Sequence, residues 1–474
     1  MNAPRSEVPG ANTGFRRSTK TRRSQTRLFR RSKRSAGFSL VELMVAVTIG
    51  AMLMIGLTDL LVDSKTVYVR EDQFARLQEN ARVATLVASR SLRTNRSLGC
   101  RSIAMAEFEG QFTVKACDLL DTKSGDDCSH ADWKSDRHFL SMDRAIGYDN
   151  ADDLDSAADY PDLPSAAAEN ISNRWLRGDV LVTWGVDEQG ASLTGTLGSA
   201  IGEGGGFQGT GALGVDPVPS ALGNVGRLAL VTDCMSADLF EVSGPEDLDT
   251  GDSSIEHSAT NPDGVVVNAS DALGHAYNWT ASASGDRQTA APIYRANVFP
   301  FSYDVYYVCC VDTGGRRIQT GARVDRCRVD PGHRYYDRFR PALCAWSMED
   351  ASSQALLSDV ADMRVTYTGD LDNDGTIDFA SEDSEPVPNA AWVSRNNAWS
   401  GVRSAALELL VTTEASGVAT ERKAPARDHW PPNAGDGSIA SDTLGKDLPA
   451  DDRLYQRFLI NVAMRSRTPW YVSQ

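Results

Sequence analysis

The sharpest chemical pattern in the chain is Asp370-Leu371-Asp372-Asn373-Asp374-Gly375-Thr376-Ile377-Asp378. Alternating carboxylates offer hard oxygen donors, and a glycine at the sixth place permits the sharp turn that a cation loop needs. Asp370, Asp372, Asp374, the backbone carbonyl of Thr376, and Asp378 through water would make a Ca²⁺ donor set. The twelfth place, where an EF-hand carries a bidentate glutamate, is Ser381, and Glu382 falls one place late. No helix is expected on either side, so this is not an EF-hand. A solvated Asp/Asn/Gly turn between strands accounts for the same residues. Both readings stay open.

Other patterns narrow the chemistry by exclusion. The six histidines (130, 138, 257, 275, 333, 429) form no H-E-x-x-H, and no G-x-S-x-G occurs, so no enzyme is expected. A Gly-Glu-Gly-Gly-Gly run at 202–206 lacks the Lys-Ser/Thr of a phosphate loop. The eight cysteines are Cys100, Cys117, Cys128, Cys234, Cys309, Cys310, Cys327 and Cys344. None is spaced as C-x-x-C, which removes the usual zinc and thioredoxin arrangements. Their even number, beyond an apolar segment, predicts disulfides in an oxidising compartment; buried thiols are the alternative. Cys309 and Cys310 are adjacent in an expected strand, so they face opposite ways and need different partners. Cys327 and Cys344 are nearest in sequence, but the connectivity stays open.

One carboxylate stands in an unexpected place. Glu42 lies four residues into an apolar run that opens at Phe38. A carboxylate at the centre of a membrane helix costs roughly 2.5–3.5 kcal/mol even on lenient scales. Phe38 to Val62 is long enough to span a bilayer, which takes about 20 residues. Residues 1–37 carry eleven Lys/Arg against one acid, a net of +10; taken from the chain's −16, this leaves −26 for the rest. The positive-inside rule keeps such a basic leader in the cytoplasm and sends the body across, which in a bacterium means the periplasm. An acidic body argues against nucleic-acid binding, because phosphate recognition needs clustered Lys/Arg. No A-x-A site follows the apolar run, so an ordinary cleaved signal peptide does not fit. A plain signal anchor leaves Glu42 unexplained.

Gly37-Phe38-Ser39-Leu40-Val41-Glu42-Leu43-Met44, with basic residues before and an apolar helix after, resembles a type III prepilin leader, the mark of type IV pilins and type II secretion pseudopilins. The resemblance implies cleavage between Gly37 and Phe38 by prepilin peptidase and N-methylation of Phe38. The leader, 37 residues long, exceeds the family's usual length. Cleavage leaves an ammonium at a helix N-terminus, where the helix dipole favours a carboxylate one turn on. Glu42 can then pair with its own amine or a neighbour's, a role the family assigns to this position in filament assembly. A snorkelling acid without a partner is the plainer reading.

The elements that must carry these residues follow from periodicity. The helix is expected to continue through 63–98, with Val67, Phe74, Leu77, Ala81, Ala84 and Ala88 as an apolar stripe and Gly99 as its stop. Beyond it, residues 99–474 read as a β-rich body. Strands are expected at 179–186, 227–232, 264–269, 301–311, 362–368, 402–412 and 454–466, and a short helix at 351–360. An acidic stretch at 149–170 and a Gly-rich one at 195–226 read as flexible insertions. Val-Ala-Asp-Met-Arg-Val-Thr-Tyr at 360–367 with the aspartate-rich turn after it, the Cys234 segment 231–242, and 451–467 ending in Met-Arg-Ser-Arg resemble PilW-type minor pilins. That resemblance implies a pilin-like α+β fold, a long N-terminal helix on an antiparallel sheet. It also implies a single-pass inner-membrane protein that primes type IV pilus assembly and twitching motility from the pilus tip. Its implied partners are other minor pilins, the major pilin, a PilY-type tip adhesin, and the inner-membrane assembly platform. A J-type minor pseudopilin of type II secretion and a membrane-anchored periplasmic binding or adhesion protein are the rivals.

Overall fold

The run from Leu40 contains no proline and few residues that compete with the backbone for hydrogen bonds, and it forms helix α1 (Leu40–Thr94). The computed structural model describes residues 39–99, 110–120, 128, 139–140, 144–149, 154–186, 190–197, 211–216, 218–234, 236–245, 254–275, 277, 296–314, 317–329, 333–372, 374–380, 388–414 and 453–464. Gly37, Phe38 and Cys100 lie outside them. The chain divides into two compact units, Met1–Ser64 and Lys65–Gln474.

In the first unit, every large apolar side chain named in the span is exposed, among them Leu40, Met44, Ile49, Leu53, Ile55 and Leu61. The hydroxyls in this stretch are turned back onto the helix. Thr48 Oγ1 donates to the carbonyls of Met44 and Val45, and Thr58 Oγ1 to that of Met54. Between Glu42 and Asp59 the helix satisfies its own hydroxyls and exposes an uncharged, largely apolar surface, which suits hydrocarbon. The segment passes the length and hydropathy test for a membrane span.

In the second unit, α1 buries Gln73, Leu77, Ala81, Ala84, Ala88 and Leu92. Steps of four, with one step of three, keep these on one face, and the alanines let the helix axis lie close to the sheet. Val67 and Phe74, expected in the stripe, are 55% and 42% exposed: the buried face begins at Gln73, which leaves Val67 before it and Phe74 beside it. The helix stops at Thr94 rather than at Gly99, and tertiary contacts make the stop. Asn95 Oδ1 accepts the Trp184 N–H at 3.1 Å, and the Arg96 N–H donates to the Trp184 carbonyl at 2.6 Å. The Arg96 guanidinium lies over the Trp184 ring at 5.5 Å.

The strands in chain order are β1 (Phe112–Val114), β2 (Gly147–Tyr148), β3 (Trp175–Val186), β4 (Ala191–Leu197), β5 (Ala212–Asp216), β6 (Leu228–Thr232), β7 (Ala237–Glu241), β8 (Ser254–Glu256), β9 (Asn297–Asp312), β10 (Arg317–Ile318), β11 (Phe339–Ser347), β12 (Ser352–Ser358), β13 (Val360–Gly369), β14 (Val402–Thr412) and β15 (Tyr455–Ala463). Two short helices, α2 (Ser165–Ser172) and α3 (Ala390–Arg395), are interspersed. β1–β12 form one 12-stranded sheet and β13–β15 a three-stranded one. β9 is the shared strand. Its start pairs with β4 and β6, and its remainder with β3 and β11. The pairings are antiparallel except β1 with β7.

Four expectations are corrected. Residues 351–360 form β12, not a helix: Ala351 and Asp359 have positive φ (44° and 67°), and the strand between them pairs with β11. Residues 264–269 form only isolated bridges, Thr260 with Val266 and Ala116 with Asn268. The acidic stretch is not a loose insertion where described: Leu154, Tyr160, Leu163, Ala167 and Ala168 are buried in the main core. The described end of the Gly-rich stretch likewise packs Leu213, Val215 and Leu222 into a second core.

The two sheets meet where β3 crosses β13. Gly178 has φ +77°, and a Cβ there would sit 2.5 Å from Asp362 Oδ1 and 2.8 Å from the Met363 carbonyl. Asp179 Oδ2 accepts the Val365 N–H at 2.7 Å. Only a glycine lets β3 approach β13 closely enough for this bond.

Candidate functional site

Two sites follow from the sequence, and the structure places each. At the start of α1, Glu42 lies in the first turn, and its Oε2 accepts the Ser39 backbone N–H at 3.1 Å. That N–H is one of the unpaired donors of a helix N-terminus, and a carboxylate there is favoured by the dipole. The carboxylate is thus turned toward the end of the helix at which a cut before Phe38 would create an amine. Around it the side chains of Leu40, Val41, Leu43 and Met44 are exposed, so its partners are at the helix end or outside the chain.

The aspartate loop follows β13. Asp370 N–H donates to the Gly401 carbonyl at 2.9 Å, and Gly369 bridges to Phe379, whose ring packs tilted against Trp392 of α3 at 5.1 Å. Asp370 is 2% exposed, whereas Asp372 and Asp374 are exposed. One carboxylate oxygen from each of the three lies within 4.8 Å of the others. The turn is set by side chain to backbone bonds: Gly375 N–H to Asp370 Oδ2 (3.1 Å), Asp374 N–H to Asp372 Oδ1 (3.1 Å) and Thr376 N–H to Asp374 Oδ1 (2.6 Å). The Thr376 amide holds Asp374 below the usual carboxylate range. Gly375, at φ +91°, supplies the left-handed residue. Asp378 is not brought into the cluster; its Oδ2 accepts the Leu371 N–H at 2.6 Å. Arg403 donates to Asp370 Oδ2 at 3.5 Å.

The cysteines are oxidised as the strand geometry requires. Cys309 bonds Cys344 across β9 and β11, and Cys310 bonds Cys327 in the turn after β10. Cys117 bonds Cys128, and Cys234 is disulfide-bonded as well. No free cysteine occurs among the described residues.

Sequence reading missed a buried polar cluster beside β7. Asp238, fully buried, accepts from the Gly274 and His275 N–H groups (3.0 and 2.9 Å) and from the Tyr277 hydroxyl (2.8 Å). Lys115 Nζ donates to Ser270 Oγ at 2.7 Å, and burial lowers Lys115 to about 8. A lysine beside a serine suggests a nucleophile pair, but Ser270 Oγ donates to the Ala272 carbonyl at 3.1 Å and is held at both ends. His257, fully buried against Phe240, is pushed by burial down to about 4. The arrangement clamps residues 268–275 and Tyr277 onto β7. A polar residue at an inward position of a strand was its only sequence signal.

Comparison with known proteins adds one finding at the N-terminus. Residues 32–58 match the prokaryotic N-terminal methylation motif. No curated protein matches the chain. Among solved structures the chain is similar to the type IV-like pilin TTHA1219 from Thermus thermophilus, with 17% identity, covering 36% of this chain and 80% of that one, at a TM-score of 0.16. A superposition of that quality carries no argument about this fold. The motif, by contrast, covers Gly37, Phe38 and Glu42, and with the apolar start of α1 it is consistent with single-pass membrane anchoring.

Proposed function

We propose that this chain is a minor pilin that primes assembly of a type IV pilus and takes a place at or near its tip. It acts by association, not by catalysis. The observation that carries the reading is Glu42: a carboxylate inside the methylation motif, at the N-terminus of an exposed apolar helix, already holding a backbone donor of that end. Prepilin peptidase cuts after Gly37 and methylates Phe38. Glu42 then meets the Phe38 amine of a neighbouring subunit while the apolar helices pack side by side. Before assembly the basic leader stays in the cytoplasm and the body stands in the periplasm.

The choice of a type IV pilus over a type II secretion pseudopilus rests on the PilW-like segments, of which 360–367 lies in β13. The partners are other minor pilins, the major pilin, a PilY-type tip adhesin and the inner-membrane assembly platform. Apolar side chains exposed past the span, Val67 and Phe74, line a groove with Leu454 and Tyr455 that suits a neighbouring subunit's helix.

The test is N-terminal sequencing of the mature protein together with piliation of a deletion strain. A methylated Phe38 start and loss of pili and twitching are expected. An unprocessed N-terminus sinks the pilin reading. A processed protein whose loss stops secretion but leaves pili intact moves it to type II secretion.

A further inference from the structure

We infer that the Asp370–Asp374 loop is a Ca²⁺ site. Three carboxylates in a five-residue turn are not by themselves a site, since exposed acidic turns are common. The independent observation is Asp370. It is 98% shielded, its Oδ2 takes the Gly375 amide and Arg403, and its Oδ1 is buried without a hydrogen-bond donor. A buried carboxylate oxygen with no donor is costly, and a cation removes that cost.

The surroundings fit the ion. The donors are oxygen only, which selects hard cations. Ligand oxygens at about 2.4 Å from Ca²⁺ stand at most about 4.8 Å apart. The Asp370, Asp372 and Asp374 oxygens lie within that limit. Asp372 and Asp374 each use Oδ1 to hold the turn through backbone amides, so the loop is shaped before the ion arrives. Asp378 accepts the Leu371 amide and is not among the three clustered carboxylates; loop carbonyls and water would complete the shell. Such irregular coordination suits Ca²⁺ better than Mg²⁺, which demands a near-ideal octahedron. Without the bidentate glutamate of an EF-hand, the affinity falls in the range of extracellular modules, about 10⁻⁴–10⁻³ M.

Binding would lock one corner of the second unit. Asp370 is tied to Gly401 at the start of β14, and Phe379 of the same turn packs on Trp392 of α3. The ion therefore joins the end of β13, α3 and the start of β14. This inference does not depend on the assembly reading.

The test uses the full chain in detergent micelles after EDTA treatment. Tb³⁺ is added and its luminescence is excited through tryptophan, Trp392 being packed on the loop. A Tb³⁺ signal displaced by Ca²⁺ and not by equal Mg²⁺ is expected, with a Ca²⁺-dependent rise in Tm. Asp372→Asn keeps an oxygen for the Asp374 amide but loses the charge. It should fold with the EDTA-state Tm of the wild type and bind Ca²⁺ at least about tenfold more weakly. Absence of a Ca²⁺-competed signal in the wild type overturns the site. So does an Asp372→Asn protein that binds as well as the wild type. Should Asp370→Asn fail to fold, Asp372→Asn still decides.

Discussion

At the residue scale, the roles proposed for Gly37, Phe38 and Glu42 separate processing from assembly. On the proposed reading Gly37 and Phe38 would present the cut, while Glu42 lies in the first turn of α1 with its carboxylate on the Ser39 amide. Glu42→Ala should therefore be processed normally, yet enter pili at under a tenth of the wild-type level; immunoblots of membrane and sheared pilus fractions measure both. Normal incorporation would remove the charge-pairing role. His257 is the other residue with a sharp expectation. Burial holds it near 4 against an ordinary 6.5, so the unfolded chain binds a proton that the folded chain refuses. Its contribution is intact above about pH 6.5 and is lost as pH falls toward 4, by up to roughly 3 kcal/mol. Burial raises Glu241 to about 7 and Asp304 to about 6, and these act with the opposite sign over overlapping windows. The comparison must therefore be made against a His257→Phe variant. Melting curves from pH 7 to 4.5 should show the variant gaining on the wild type as pH drops; a constant gap would contradict the buried neutral histidine.

At the scale of elements, two close approaches hold the second unit together. β3 meets β13 at Gly178, and α1 ends on β3 at Gly185, where a Cβ would lie 2.2 Å from the Thr94 carbonyl. Gly178→Ala adds a methyl against backbone and also strains a positive φ, so a loss of about 2–4 kcal/mol is expected. A shift of the urea midpoint with unchanged slope reads it out; a loss below about 0.5 kcal/mol would mean that β3 and β13 separate easily. The Cys310–Cys327 bond braces the turn in which Arg326 lies over Tyr335 (5.1 Å) and Phe339 (5.0 Å). Replacing both cysteines by serine should cost about 3 kcal/mol. Non-reducing peptide mapping checks the pairing itself. The adjacency of Cys309 and Cys310 in an alternating strand was legible, and so was their need for separate partners. The β12 strand was not: Ala-Leu-Leu spacing in 351–360 suits a helix as well as an edge strand, and β11 decided between them.

At the scale of the whole molecule, the chain sets a strongly basic leader and an apolar span before an acidic body. That order predicts a protein retained with the inner membrane through alkaline carbonate and released by detergent. Release by carbonate alone would count against the span.

The sequence by itself determined the features that are local. The methylation motif, the position of Glu42, the apolar span, the opposite facing of Cys309 and Cys310, and the aspartate spacing all depend on neighbours within a few residues. Tertiary structure decided what distant segments must supply. It ended α1 at Trp184, left Val67 and Phe74 exposed, and drew the acidic stretch after Asp153 into the core. It also turned Asp378 away from the other aspartates and buried Asp370 against Gly401, and it assembled Lys115, Asp238 and His257 from segments far apart in the chain. The reason is physical: a helix dipole or an alternating strand acts over one or two turns, whereas burial, which shifts charges and orphans oxygens, exists only once remote strands have packed.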